Sequence, residues 1–204
     1  METKKIDRRR TYIMMLDTET CNTRNDENGN LDMRDVLVYD KGWQVIDKHG
    51  NVYEKKSYIA KEIFFGMSDV MQSAYYANKI PKYLEEIAKG ERVVASFYEI
   101  RKDFLDTMKR YNTNIVCAHN ARFDYNALNT TQRYLTKSKY RYYFPYGTKV
   151  WDTLKMARSV VSKTPTYKRF CEENGYMTKN NQVRLTAEIL YRYITRDNDF
   201  VESH

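Results

Sequence analysis

Cysteine is scarce in this chain and poorly spaced for the work cysteines do together. Cys21, Cys117 and Cys171 are the three present. They stand far apart with no C-x-x-C pair, which argues against a zinc cluster or a disulfide framework and predicts reduced thiols in a cytoplasm. Long hydrophobic runs are also missing. The apolar stretch Tyr12 to Leu16, behind the basic residues Lys4, Lys5, Arg8, Arg9 and Arg10, is too short for a signal sequence or a membrane span. The expectation is a soluble, unexported, cytoplasmic protein with no membrane partner. Linkers, internal repeats and low-complexity segments are absent, so 204 residues at 42% hydrophobic predict one domain, 1–204, with a sizeable core.

Acids are outnumbered. Asp and Glu total 27 against 35 Lys and Arg, a net charge of +8, which draws a polyanion such as a nucleic acid to the surface. The basic N-terminal run is either a phosphate-contacting arm or a solvated tail. Between Lys137 and Lys149 the cations Lys139 and Arg141 mix with Tyr140, Tyr142, Tyr143, Phe144 and Tyr146. Bases stack on such rings while cations track the backbone, but tyrosines also cover apolar surface with their hydroxyls in water. For Lys163, Lys168 and Arg169 the default is a solvated helix face.

Along the chain, 11–17 reads as a central strand that ends in an acid at the mouth of a site. Two extended stretches, Val36 to Asp47 and Val52 to Ala60, flank a Gly/Asn turn and predict an antiparallel hairpin with His49 at its tip. Ser68 as N-cap, Pro81 in a first turn and Gly90 as a stop predict two short helices. Phe97, Ile100, Phe104, Met108 and Tyr111 then recur at helical spacing and mark a core face. A buried strand from Asn114 to His119 leads into a helix near Ala121. Lys149 to Trp151 is a short strand, Asp152 caps a helix, Gly175 ends another, and a last helix runs from Thr186 to about Thr195. This order predicts an α/β fold, a mixed sheet covered by helices.

Asp17 and Glu19, in Leu16-Asp17-Thr18-Glu19-Thr20, are one residue apart, and alternate side chains of an extended segment share a face. Like charges brought together call for a cation, and Mg²⁺ or Mn²⁺ prefers oxygen ligands. His119-Asn120-Ala121-Arg122-Phe123-Asp124 stands at a strand-to-helix junction that aims side chains at the end of the sheet. Together with Asp152-Thr153-Leu154, in that order, these segments resemble the DEDD exonucleases of the RNase H-like superfamily. At the end, Asp199-Phe200-Val201-Glu202-Ser203-His204 resembles the start of the third motif of the family's histidine branch, in which an aspartate follows five residues after the histidine. The sequence stops at the histidine, so the domain reads as cut within that motif. Where close relatives often have Thr-Gly, this chain has Cys21-Asn22.

The resemblance implies an RNase H-like mixed sheet and a 3′ to 5′ exonuclease that releases 5′-mononucleotides from single-stranded or frayed ends, with DNA slightly favoured over RNA. It implies two ions, Mg²⁺ or Mn²⁺, held by Asp17, Glu19 and the further aspartate, with Asp124 completing the second site and His204 as general base. Thr18, Thr20, His119, Asn120 and Phe123 are the substrate-side candidates. His119 reads equally as a satisfied structural histidine, Asn120 as a helix cap and Phe123 as core, while Asp152 reads as an N-cap before a ligand. The implied partners are 3′ ends of single-stranded DNA or RNA, and a polymerase. Two rivals stay open: an endonuclease using the same metal chemistry, and a non-catalytic module that binds nucleic acid or a polymerase. The abundance of Lys, Asn and Tyr suggests an AT-rich bacterial or phage genome.

Overall fold

The computed structural model describes residues 6, 7, 9–25, 27–29, 31–74 and 77–201. The elements run β1 (Tyr12–Cys21), β2 (Arg24–Asn25), β3 (Leu31–Asp32), β4 (Leu37–Asp47), β5 (Val52–Ala60), α1 (Lys61–Phe64), α2 (Ser68–Met71), α3 (Ile80–Ala88), β6 (Val93–Ala95), α4 (Phe97–Arg110), β7 (Ile115–Ala118), α5 (Ala121–Thr136), β8 (Lys149–Asp152), α6 (Thr153–Ser159), α7 (Pro165–Glu173) and α8 (Ala187–Thr195), with short 3₁₀ turns before α3 and after α6. By contacts the chain divides into two compact units. The first reaches to Ala118 and resumes at Arg122–Trp151, and the second comprises His119–Ala121 and the chain from Asp152 onward. No helix among the described residues is long and apolar enough to cross a membrane.

The main sheet is mixed, as expected, with strand order β6-β5-β4-β1-β7-β8. β1, β4 and β5 form an antiparallel meander, while β7 lies parallel to β1 and β6 parallel to β5. The hairpin closes at the expected turn, where Gly50 has φ +78°. The Asp47 carboxylate organises that turn by accepting from the Asn51 side-chain amide and from the backbone N–H groups of His49 and Asn51; these bonds outweigh its desolvation and hold its pKa well below the usual carboxylate range.

On β1 the even-numbered residues Tyr12, Met14, Leu16, Thr18 and Thr20 are buried. Asp17 is exposed and Glu19 half-buried, so the two acids share the more open face, as alternation requires. Trp43, opposite Leu16 in register, meets Phe104 of α4 edge-on. α4 begins with a capping box: Ser96 accepts from the Glu99 backbone, and the Glu99 carboxylate accepts from the Ser96 backbone. Phe97, Ile100, Phe104 and Met108 of the predicted stripe are buried together with Thr107, and Tyr111 is buried at the helix end.

Two differences from the sequence reading have simple causes. Ser68 is the first residue inside α2 rather than its cap, Met67 holding the cap position without a side-chain bond. β6 was not anticipated because three residues between Arg92 and Ser96 carry no periodicity to read. In the second unit, Tyr167, Cys171, Ile189, Leu190 and Ala157 form a separate small core. Thr186 caps α8 through Ile189 N–H, and Gly175, at φ +71°, follows α7.

Candidate active site

The parallel pairing of β1 with β7 decides where the acids stand. Met14 and Met15 are in register with Val116 and Cys117, and β7 ends at Ala118. Beyond Leu16, therefore, β1 continues past the end of its neighbour. Asp17 and Glu19 lie on this overhang, and α5, which starts directly after β7, presents Asp124 in its first turn. A crevice outside the carboxyl ends of parallel strands is where α/β sheets bind ligands. The Thr18 hydroxyl bridges the two segments by donating to Asp124 Oδ1 at 2.8 Å.

Asp124 is 4% exposed. Desolvation raises its pKa to about 7, the Thr18 bond opposes the rise, and the charge of Asp17 adds to it. Asp40, unmarked in the sequence reading, lies opposite Glu19 on β4. It is buried and paired with Arg92 at 2.6 Å, and Arg92 also pairs with Glu86. Burial raises the Asp40 pKa, Arg92 opposes the rise, and Asp17 again contributes upward. The sequence carries no local signal for it, because Asp40 stands next to Lys41 in a strand that also holds Gln44 and Asp47.

This donor set suits a hard divalent cation, since it is all carboxylate oxygen and carries negative charge that a cation would offset. Among the described residues, no group of three or more His, Cys, Asp or Glu closes into one coordination shell. The arrangement is thus an acidic edge backed by two buried carboxyls, Asp124 and Asp40, with raised pKa values. His204 lies outside the described residues.

The other candidates have specific surroundings. Thr18 and Thr20 are buried, and the Thr18 hydroxyl is committed to Asp124. Phe123 is half-buried. Within the second unit, His119 Nε2 donates to the Leu185 carbonyl at 2.8 Å, and Nδ1 accepts from the Thr153 hydroxyl at 3.0 Å, a tautomer assigned from these partners. Both ring nitrogens are therefore engaged. Asn120 stands at φ +65° just before α5, a conformation asparagine tolerates better than most residues. Its N–H donates to Asp152, which also caps α6 by accepting from Leu154 and Lys155, so the expected N-cap is found.

A buried carboxyl with a raised pKa carries a stability signature. Asp124 is bound to a proton in the folded chain across a range where the unfolded chain has lost it, so its contribution is intact below the ordinary value of 3.8 and lost as pH rises through about 7. Asp124→Asn is expected to raise the melting temperature of the metal-free protein at pH 8 by roughly 5–10 °C, with little effect near pH 4. Thermal unfolding in EDTA at the two pH values checks this. Equal melting temperatures at pH 8 would remove the inferred penalty.

No family model matches the chain, and no curated protein matches its sequence. Solved structures do. A 3′-exonuclease described in 3′-end-specific recognition of the histone mRNA stem-loop is 17% identical with a TM-score of 0.51, the match covering 96% of this chain and 66% of that one. A full-length 3′-exonuclease is 16% identical with a TM-score of 0.50, covering 96% and 63%. This chain thus spans about two thirds of the length of these two proteins. Their likeness to this chain is one of fold.

Proposed function

We propose that this chain is a divalent-metal-dependent 3′ to 5′ exonuclease of the DEDD histidine branch. In this reading it removes 5′-mononucleotides from single-stranded or frayed nucleic acid, with DNA slightly favoured over RNA. The observation that carries the reading is the sheet edge, where the overhang of β1 sets Asp17 and Glu19 beside the helix that carries the buried, Thr18-bound Asp124. Asp17, Glu19 and Asp124 would hold Mg²⁺ or Mn²⁺, two ions in the full site, and His204 would take a proton from the attacking water. Such ions, when bound, acidify a water and offset charge on the leaving 3′ oxygen. Thr18 has a distinct part: its hydroxyl fixes the Asp124 carboxyl and favours the ionised form.

One observation favours a second reading, a non-catalytic module that holds nucleic acid or a polymerase: the acids of the described residues do not close into a single shell. Digestion of 3′-labelled linear single strands of DNA and RNA, duplexes and closed single-stranded circles, with Mg²⁺, Mn²⁺ or EDTA, separates the possibilities. The expected outcome is metal-dependent mononucleotide release from linear strands, with circles intact. Cut circles would make the protein an endonuclease. Binding without release would favour the module.

A further inference from the structure

We infer that the segment from Lys139 to Tyr146, together with Arg133 of α5, is a second nucleic-acid surface that holds a single strand upstream of its 3′ terminal nucleotide. The inference rests on the function proposed above and adds a place where the body of the substrate is held.

The segment has no regular secondary structure but is firmly tied down. Tyr143 is fully buried against Phe97, Phe104 and Phe144, and its N–H donates to Asn129 Oδ1 at 2.7 Å. Arg101 donates to the backbone carbonyls of Tyr143 at 2.8 Å and Tyr142 at 3.3 Å. Phe144 stacks on Tyr125 with ring centroids 5.1 Å apart and planes 6° from parallel. With the backbone held inward at 143 and 144, the neighbouring rings turn out. Tyr140, Tyr142 and Tyr146 are 77%, 52% and 108% exposed. Three such rings within seven residues contribute little to the core, because they keep most of their apolar surface in water.

Cations stand beside these rings. The Arg133 guanidinium lies 4.7 Å from the Tyr142 ring centroid and the Lys139 ammonium 5.2 Å from that of Tyr140, while Arg141 is exposed. Arg133 Nε is buried and makes no hydrogen bond in the structure. Exposed aromatic faces interleaved with cations are the makings of a single-strand platform, in which bases stack on rings and phosphates meet Lys and Arg. A duplex, whose bases are already stacked, offers those rings nothing comparable.

Position then fixes the part of the strand concerned. Arg133 is nine residues beyond Asp124 on the same helix, about 14 Å at 1.5 Å per residue. Nine residues are also about two and a half turns, so Arg133 leaves the helix on the side opposite Asp124 and the path between them is at least roughly four nucleotides at 3.4 Å per stacked step. The terminal nucleotide at the acids does not reach so far, and the surface serves those behind it.

The test compares dT20 with dT4 by fluorescence anisotropy in EDTA, so that no cleavage intervenes. Tyr140→Ala/Tyr142→Ala/Tyr146→Ala is expected to weaken dT20 binding about tenfold or more, at an unchanged melting temperature, and dT4 binding less than about twofold. Lys139→Ala/Arg141→Ala is expected to lower the slope of log affinity against log salt for dT20 by about 1.4. Unchanged dT20 affinity and slope in both variants overturns this surface and leaves the exonuclease reading standing. Failure of the unaltered chain to bind either dT20 or U20 overturns both.

Discussion

Alanine in place of Asp17 is expected to slow the proposed metal-dependent release of mononucleotides about a thousandfold while leaving the fold intact. The magnitude follows from the several kcal/mol by which a properly held ion stabilises charge in the transition state, each 1.36 kcal/mol being a factor of ten. The fold is spared because Asp17 is exposed on β1 while its even-numbered neighbours make the core. Removing the carboxylate also withdraws a charge that pushes Asp124 and Asp40 upward, so the metal-free variant should melt slightly higher at pH 8. The two readouts thus move in opposite directions, which a merely unfolded variant cannot imitate. Single-turnover rates with Mg²⁺ and with Mn²⁺, alongside melting curves in EDTA, provide the measurement. Unchanged release from a preparation free of contaminating nuclease would remove Asp17 from the site.

The placement of these acids was legible from the sequence to an unequal degree. Alternation along a strand suffices to predict that Asp17 and Glu19 share a face, and an apolar run followed by a helix suffices to put Asp124 in a first turn. The meeting of the two segments depends on β1 pairing in parallel with β7 across about a hundred residues, and no local signal encodes that. The β4–β5 hairpin was readable because its turn chemistry is local: Gly50 at positive φ and an acid, Asp47, that organises the backbone around it. α4 was readable for the same reason, its cap and its stripe both being short-range features.

Charged residues inside strands were the harder case. Asp40 and Lys41 are adjacent on β4 and both buried, although charged residues in an antiparallel strand are ordinarily assigned to the wet face. Arg92, more than fifty residues away, accounts for Asp40. Lys41 is accounted for by an aromatic enclosure in which Trp43 of its own strand is joined by Phe104 of α4 and by Tyr143, which only the tertiary structure assembles. The same tertiary term decided Tyr143. In the sequence it was one tyrosine of a tyrosine-rich stretch, and in the structure it faces inward while Tyr140, Tyr142 and Tyr146 face out.

That enclosure makes Tyr143→Ala the substitution with the largest expected effect on stability, a fall in melting temperature of about 6–20 °C. Deleting a buried aromatic side chain costs about 3–5 kcal/mol, and a chain of this size loses roughly 2–4 °C per kcal/mol. Tyr143 packs on Phe97, Phe104 and Phe144, and its hydroxyl accepts from Lys41 Nζ. The Lys41 nitrogen lies 3.5 Å from the Phe104 ring centroid and 4.8 Å from that of Trp43. Aromatic faces attract an ammonium by about 0.5–2 kcal/mol, but removing an ammonium from water costs more. Burial therefore prevails and drives the Lys41 pKa well below its ordinary 10.5.

The sign of the linked pH effect follows. Between the folded pKa of Lys41 and 10.5 the unfolded chain binds a proton that the folded chain does not, so stability from this group rises with pH across that window, by about 1.4 kcal/mol per unit at most. Lys41→Met, which keeps the length and removes the titration, is expected to flatten that rise. Tyr143→Phe keeps the ring but deprives the amine of its hydroxyl partner, and should cost about 1–3 kcal/mol. Melting temperatures of the three variants from pH 7 to 10 measure all of this. A Lys41→Met variant with the same rise as the unaltered chain would mean that the amine is charged where it lies and that the cage binds a cation.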